Sequence, residues 1–230
     1  MSDPVPVPPA AKPPALKRVL KQVAHAGATV CVLPWLLSYW LSASVFGPNR
    51  ALEGASQALA FLPGMPGVYL RRAFLARVLT HCDVSAEVHF GTLFSQAGAV
   101  IGANVYVGPR CQLGLVDLEP DVLLAAGVHV PSGGKTHAFD DPAAPIRGQG
   151  GERRRVTIGA GAWVGTNAIV LADVGPGTVV GAGSVVTTAL PPFVVAAGVP
   201  CRVIRPRFAP KPGAADAPAD PILPHKDVTR

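Results

Sequence analysis

The chain reads as a mainly β protein, a solenoid of short strands and turns stacked coil on coil, preceded by an apolar helical region. Three observations predict this. Between residues 156 and 207 an aliphatic residue returns about every six positions, usually followed by Gly and then by small residues. The same unit reappears upstream, so that it brackets residues 88–186. Ahead of it, residues 22–49 contain no Asp, Glu, Lys or Arg.

The helical region comes first. Lys17, Arg18 and Lys21 stand before the uncharged stretch and Arg50 follows it, basic flanks that suit a cytoplasmic amino end. The stretch approaches the length of a membrane span. Pro34 lies in the middle of it, where a proline removes a helix hydrogen bond and bends the chain, so besides spanning a bilayer or resting on it the segment has the option of entering and leaving one face. A second apolar block, residues 58–79, is interrupted by Leu62-Pro63-Gly64-Met65-Pro66-Gly67 and carries Arg71, Arg72 and Arg77. It reads as interfacial, with its arginines at anionic headgroups. A cleaved signal peptide fits less well, because the apolar core starts late and runs long. A helical pair packed on the solenoid of a soluble oligomer stays open as an alternative, and would place the protein in the cytoplasm.

The solenoid follows. Its clearest copies are Ile158-Gly159-Ala160-Gly161-Ala162-Trp163, Val164-Gly165-Thr166-Asn167-Ala168-Ile169 and Val180-Gly181-Ala182-Gly183-Ser184-Val185, with Ile101-Gly102-Ala103-Asn104-Val105-Tyr106 and Val107-Gly108-Pro109-Arg110-Cys111-Gln112 upstream. Positions six apart drift around a helix, and Gly weakens one, so the period belongs to strands and turns. A disordered Gly-rich tract would not keep Val and Ile in phase. One coil cannot bury its own apolar face; stacking does. The leading Ile, Val or Leu points inward, and the Gly after it is expected to serve the turn, where positive φ costs it little and a side chain would crowd the next coil. The period slips at residues 113–118 and 170–174, and residues 131–155 form a long inserted loop, a place where function is often carried.

The domain reading is therefore a Pro-rich disordered tail at 1–14, an apolar membrane-associated region at 15–80, the solenoid at 81–207 with its loop at 131–155, and a second Pro- and Ala-rich tail at 208–230. The chain has 230 residues and a formal net charge of +6. That length allows one domain with appendages. Cys31, Cys82, Cys111 and Cys201 have no paired spacing and read as reduced, buried thiols of the cytoplasm.

Of the six histidines, His137 alone lies in the inserted loop, within Lys135-Thr136-His137-Ala138-Phe139-Asp140-Asp141. An imidazole near its ordinary pKa takes a proton from an attacking hydroxyl at neutral pH, and Asp140 or Asp141 is placed to orient it. Arg147, Arg153, Arg154 and Arg155 share the loop, either holding an anionic acceptor or standing as exposed charge. Nucleic acid is not expected as a partner, since no aromatic stacking platform accompanies the basic residues.

Taken in order, Thr136-His137 with Asp140, Val156-Thr157-Ile158-Gly159-Ala160-Gly161-Ala162-Trp163-Val164-Gly165, Val180-Gly181-Ala182-Gly183-Ser184-Val185-Val186-Thr187 and Ala197-Gly198-Val199-Pro200-Cys201-Arg202-Val203-Ile204 resemble the hexapeptide-repeat acyltransferases, which include maltose, galactoside and xenobiotic acetyltransferases. The resemblance covers residues 88–207. It implies a left-handed parallel β-helix and a homotrimer with active sites between neighbouring subunits. It implies acetyl-CoA or another acyl-CoA as co-substrate, no metal, and His137 as general base for direct attack of an acceptor hydroxyl on the thioester. By the same resemblance the pantetheine arm runs past Trp163, Gly165, Gly181, Ala182 and Gly183, and its phosphates meet Arg202 and Arg205, where guanidinium suits phosphate. Two departures stand out. Thr188-Ala189 replaces the Lys-Asp usual after the Val-Val-Thr run, and Cys201 replaces a common Ala. The amino-terminal block is similar to membrane-associated members that modify surface polysaccharide or lipopolysaccharide, which points to a sugar or lipid-linked glycan as acceptor at the cytoplasmic membrane face.

Two other classes compete. A γ-type carbonic anhydrase shares the fold and holds zinc through three histidines, for which His89, His129 and His137 are the candidates. A non-catalytic trimeric scaffold needs only the inward aliphatics, because fold alone does not prove function.

Overall fold

The computed structural model describes residues 15–208. The two expected tails, 1–14 and all of 208–230 but its first residue, lie outside the described residues.

Four helices come first: α1 (Ala15–Cys31), α2 (Leu33–Phe46), α3 (Pro48–Ala60) and α4 (Gly64–Val78). Between α1 and α2 the axis bends by 48°. Pro34 sits in the first turn of α2, where its missing N–H is no loss. No single helix among the described residues is long and apolar enough to cross a membrane, although residues 22–31 of α1 and α2 reach that length together across the bend.

Sixteen strands then wind into three sheets. The first sheet takes β1 (His81–Cys82), β4 (Val100–Ile101), β7 (Val116–Leu118) and β10 (Val156–Ile158). The second takes β2 (Glu87–Val88), β5 (Tyr106–Val107), β8 (Leu123–Leu124), β11 (Trp163–Val164), β13 (Val179–Val180), β15 (Val194–Ala197) and β16 (Arg202–Pro206). The third takes β3 (Leu93–Phe94), β6 (Gln112–Leu113), β9 (His129–Val130), β12 (Ile169–Val170) and β14 (Val185–Val186). As far as β12 successive strands fall on successive sheets, and in the later coils single bridges at Val174 and Leu190 take the first-sheet place, so the chain winds as a three-sided prism. All pairings are parallel except the last, where β16 turns back antiparallel along β15. This is the parallel β-solenoid the repeat predicts.

Inward aliphatics fill the prism. Ile101, Val107, Leu118, Leu124, Val130, Ile158, Val164 and Val170 are all fully buried. The slips in the period are corners rather than breaks. Leu113 to Leu118 and Val170 to Val174 both step around the corner between the third and first sheets, and at these two places the step is shorter than the six residues that separate Ile101, Val107 and Leu113.

Positive φ does not fall on the Gly that follows each inward aliphatic. It falls two residues further on, at Asn104, Arg110, Asp121, Gly127, Gly161, Asn167, Gly177 and Gly183. The first Gly is required by the other half of the expectation, close approach: a Cβ on Gly159 would lie 2.4 Å from the Pro176 nitrogen, and one on Gly165 2.5 Å from that of Ala182. Turn and close approach are thus separate positions of the repeat.

Helices α3 and α4 close the amino-terminal end of the prism. Coil one would otherwise present unpaired backbone groups, a liability at any sheet edge. Ser56 Oγ accepts the N–H of Phe94 at 2.9 Å, Asn49 Oδ1 accepts that of Ala97 at 3.0 Å, and the Ala60 carbonyl accepts that of Gly91 at 3.0 Å. Arg71 corrects the interfacial reading of this block. Its side chain is buried, donating through Nε to the Val88 carbonyl at 2.9 Å and through Nη1 to those of Leu59 and Leu62 at 3.1 and 2.7 Å. It ties α3 and α4 to the first coil and does not reach a headgroup. Phe74, Leu59 and Leu52 join the same core as the solenoid interior.

The outer helices behave otherwise. Leu33, Leu37, Trp40, Leu41, Val45 and Phe46 of α2 are exposed, several of them by well over half. Among the thiols, Cys82, Cys111 and Cys201 are buried as expected, whereas Cys31, at the end of α1, is exposed. Burial pushes the Cys82 thiol up to about 12 and that of Cys111 to about 11.

Candidate active site

The inserted loop leaves the prism after β9, at the corner between the third and first sheets, and returns at β10. Its two limbs are hydrogen-bonded to each other. Arg154 N donates to Ser132 O at 2.8 Å, Glu152 N to Lys135 O at 2.8 Å, and Ala138 N to Gly150 O at 3.0 Å. His137 lies between the last two rungs. The opposite limb passes so close there that a Cβ on Gly151 would overlap the Thr136 carbonyl and stand 2.8 Å from His137 Cα. The base of the loop is pinned by Asp173, whose Oδ2 accepts from Arg154 Nη2 at 2.6 Å and Nη1 at 3.2 Å while its Oδ1 accepts Thr157 N at 2.9 Å. At the tip, Gln149 bonds the backbone of Asp141 and Ala144. A 25-residue insertion is thereby held as a braced arm.

His137 is exposed at the middle of that arm. Neither expected acidic partner bonds to it among the described residues: Asp140 is exposed, and Asp141 Oδ1 instead accepts Ala143 N at 2.8 Å in a local turn. The arginine run also separates. Arg154 is committed to Asp173, Arg155 points back to the Val116 carbonyl at 3.5 Å, and Arg153 and Arg154 line different clefts.

Clefts flank the arm on both sides. One, of about 400 Å³, is walled by Thr136 and Arg153 of the arm, Gln112 and His129 of the third sheet, and Glu53 and Gln57 of α3. The other, of about 730 Å³, is walled by Lys135, Glu152 and Arg154 of the arm and by Leu171, Thr187 and Thr188 of the later coils. Residues alternate along the arm, Lys135 facing one cleft and Thr136 the other. The Lys135 side chain makes no hydrogen bond or ion pair among the described residues, and it brings an ammonium to the place where Thr188-Ala189 departs from the family's Lys-Asp.

The expected donor residues lie elsewhere on the prism. Trp163 is half-exposed on the outer face of the second sheet, in register with Leu123 and Val179. Gly165 and Gly181–Gly183 follow at the corner between the second and third sheets, stacked backbone on backbone. Side chains there would fill the shelf that the glycines leave open. Among the described residues, Arg202 and Arg205 stand on β16 with only main-chain carbonyls as side-chain partners. Within one chain, this shelf and the arm carrying His137 occupy different corners.

His89, His129 and His137 do not converge. His89 leans on Glu87 at 3.4 Å and on the Tyr106 ring, His129 lies on the third sheet, and no group of three or more His, Cys, Asp or Glu among the described residues is arranged to hold a metal ion.

Comparison with known proteins places the chain. No protein-family profile matches it. Galactoside O-acetyltransferase of Escherichia coli (strain K12) is 54% identical over 169 residues, covering 69% of this chain and 79% of that protein. A probable acetyltransferase of Mycobacterium tuberculosis is 37% identical over 138 residues, and the chain spans 45% of its length. Among solved structures, a galactoside acetyltransferase in complex with coenzyme A superposes with a TM-score of 0.54 at 25% identity, over 71% of this chain and 84% of that one. A maltose O-acetyltransferase from Clostridium difficile 630 shares the fold, with a TM-score of 0.55 at 24% identity over 71% and 90% of the two chains. A repeat of this length, wound into this prism and interrupted by a braced arm, is that of a solenoid acyltransferase. The chain belongs to the hexapeptide-repeat acetyltransferase family.

Residues that carry the arrangement without a motif were not legible in the sequence. Asp173 is the clearest; its only signal is a carboxylate at a slip of the repeat, where its neighbours are apolar. Glu53 and Gln57 have no signal, since their place in the cleft depends on how α3 docks.

Proposed function

We propose that this protein transfers an acetyl group from acetyl-CoA to a hydroxyl of a sugar or lipid-linked glycan at the cytoplasmic face of the cell membrane. The observation that carries the reading is the position of His137, on a hydrogen-bonded arm with a polar cleft on either side. An acceptor in the Thr136–Arg153 cleft presents its hydroxyl to a ring nitrogen of His137. As that nitrogen takes the proton, the oxygen attacks the thioester carbonyl, the C–S bond breaks, and the proton passes to the departing thiolate. No acyl-enzyme intervenes. Asp140, three residues along the same arm, is assigned to orient the protonated ring once substrate is bound, since catalytic hydrogen bonds often form only in the complex.

On the donor side Trp163, Gly165, Gly181, Ala182 and Gly183 form the shelf for the pantetheine arm, with Arg202 and Arg205 at its phosphates. Lys135 stands in for the basic contact that Thr188-Ala189 lacks. Because shelf and arm sit at different corners of one prism, a homotrimer that sets the shelf of one subunit against the arm of the next completes the site. The apolar outer stripe of the second sheet, with Tyr106, Leu123 and Trp163 exposed, supports such an assembly.

The exposed side chains of α2 support membrane association of a peripheral or re-entrant kind, and the bent α1–α2 pair suits an element that dips into one leaflet. The test is release of CoA thiol from acetyl-CoA with alkyl galactosides as acceptors. We expect turnover in the full chain and its loss in His137→Ala. A His137→Ala protein that keeps nearly full turnover would end this reading.

A further inference from the structure

The acceptor-side cleft is one end of a longer groove. Between α2 and α3 lies a cavity of about 610 Å³, with Trp35, Tyr39 and Phe46 on one wall and the small residues Gly54, Ala55 and Ala58 on the other. Through Phe46 and Arg50 it joins a second cavity, of about 360 Å³. That second cavity shares Glu53, Gln96 and Arg153 with the 400 Å³ cleft that reaches Thr136. Along this path the walls change in a definite order, from aromatic and apolar, through two guanidiniums, to amides, imidazole and hydroxyl.

We propose that the groove binds an acceptor of matching order, a glycolipid whose sugar is joined to its apolar tail through phosphate. The inference rests on the acetyl-transfer reading above. The tail lies between α2 and α3, the phosphate meets Arg50 and Arg153, and the sugar fills the cleft beside Thr136 with one hydroxyl at His137. Arg50 and Arg153 make no hydrogen bond or ion pair among the described residues, although they come from distant parts of the chain and line one cavity. Guanidinium is suited to phosphate, which it grips through paired N–H donors. Glu53 is the one carboxylate on this wall. Facing the sugar cleft as well, it is placed to accept from sugar hydroxyls. The tail cavity is cut into α2, the helix whose outer side exposes Leu33, Leu37, Trp40 and Leu41, so a chain drawn from a bilayer passes along that apolar surface to the aromatic wall, with Ser38 and Ser42 as polar neighbours inside the cavity.

The experiment compares three probes on the full-length protein with acetyl-CoA present: decyl galactosyl phosphate, neutral decyl galactoside, and lysophosphatidylglycerol, which has tail and phosphate but no sugar. Binding is followed by calorimetry and acetylation by mass spectrometry. Decyl galactosyl phosphate is expected to bind about ten-fold or more tightly than decyl galactoside, the scale of charge-assisted hydrogen bonds, and to be acetylated. Arg50→Gln/Arg153→Gln should erase that preference, and Arg147→Gln, a change of equal charge on the arm away from the groove, should keep it. Equal affinity for the charged and neutral glycosides, or an equal loss in Arg147→Gln, overturns the proposal. So does tight binding of lysophosphatidylglycerol at the level of the glycosyl phosphate, which would make the groove a site for bulk phospholipid. Acetyl-CoA binding to the wild-type protein is measured alongside. Its absence would count against the transferase reading, whereas its presence with no preference among the probes counts against the groove alone.

Discussion

At His137, proposed above as the general base, little of the arrangement resides in the side chain itself. The imidazole is exposed and unpartnered among the described residues, and its place is set by backbone contacts from Lys135, Ala138 and Gly151. His137→Ala should therefore leave the fold and acetyl-CoA binding intact and lower kcat by about 10²–10⁴-fold, the usual contribution of a positioned general base. Gly165 and Asn167 make a sharper structural pair. A Val at 165 places Cβ against the Ala182 backbone and is expected to cost at least about 1–3 kcal/mol, as overpacking does. Asn167 already holds positive φ, so Gly there should change the melting temperature little. Thermal unfolding of the two variants checks the separation of roles within the repeat. The thiols give a third prediction. Burial holds Cys82 and Cys111 protonated to about 12 and 11, above the ordinary value of 9.0. In the unfolded chain they ionise first, so the folded state releases fewer protons and stability falls as pH rises from 9 towards those values. At pH 8, Ellman's reagent should titrate Cys31 quickly and the other three only on unfolding.

At the scale of elements, the arm and the α2 helix respond to different perturbations. Asp173 fixes the return limb of the arm through Arg154 and Thr157 while touching no cleft directly. Asp173→Ala should cost only about 1 kcal/mol of stability, the pair being half-exposed, yet speed amide exchange across residues 131–155 and lower turnover. Unchanged exchange in that segment would mean that the cross-limb bonds suffice alone. In α2, Trp40→Ser with Leu41→Ser removes exposed apolar surface without opening the core. Co-sedimentation with anionic vesicles should fall several-fold while the melting temperature holds. Arg71→Met should do the reverse, leaving vesicle binding unchanged and unfolding the protein at lower temperature, because the carbonyls of Val88, Leu59 and Leu62 lose the guanidinium that joins them.

Across the whole molecule, one continuous core runs from α2 through α4 and down the prism. Stability in a solenoid is shared between neighbouring coils, so the ends decide whether stacking can start and stop. Here α3 and α4 close one end and the reversed strand β16 the other. The helical region is thus both a cap and an outward apolar surface.

The repeat determined much of this without a structure. A six-residue period of inward aliphatics is a local property, copied along the chain, and it specified strands, coils, core and the corners where the period slips. His137, the inserted loop and the family resemblance were legible for the same reason, since each is a contiguous run of residues. Tertiary structure alone decided what depends on distant segments meeting. It turned Arg71 inward, sent Arg153, Arg154 and Arg155 in three directions, and set Asp173 under the arm. It also brought Arg50 and Glu53 of α3 beside Arg153, about a hundred residues away in sequence. No periodicity records such encounters, because they arise from how a helical cap docks on a prism and not from the pattern within either.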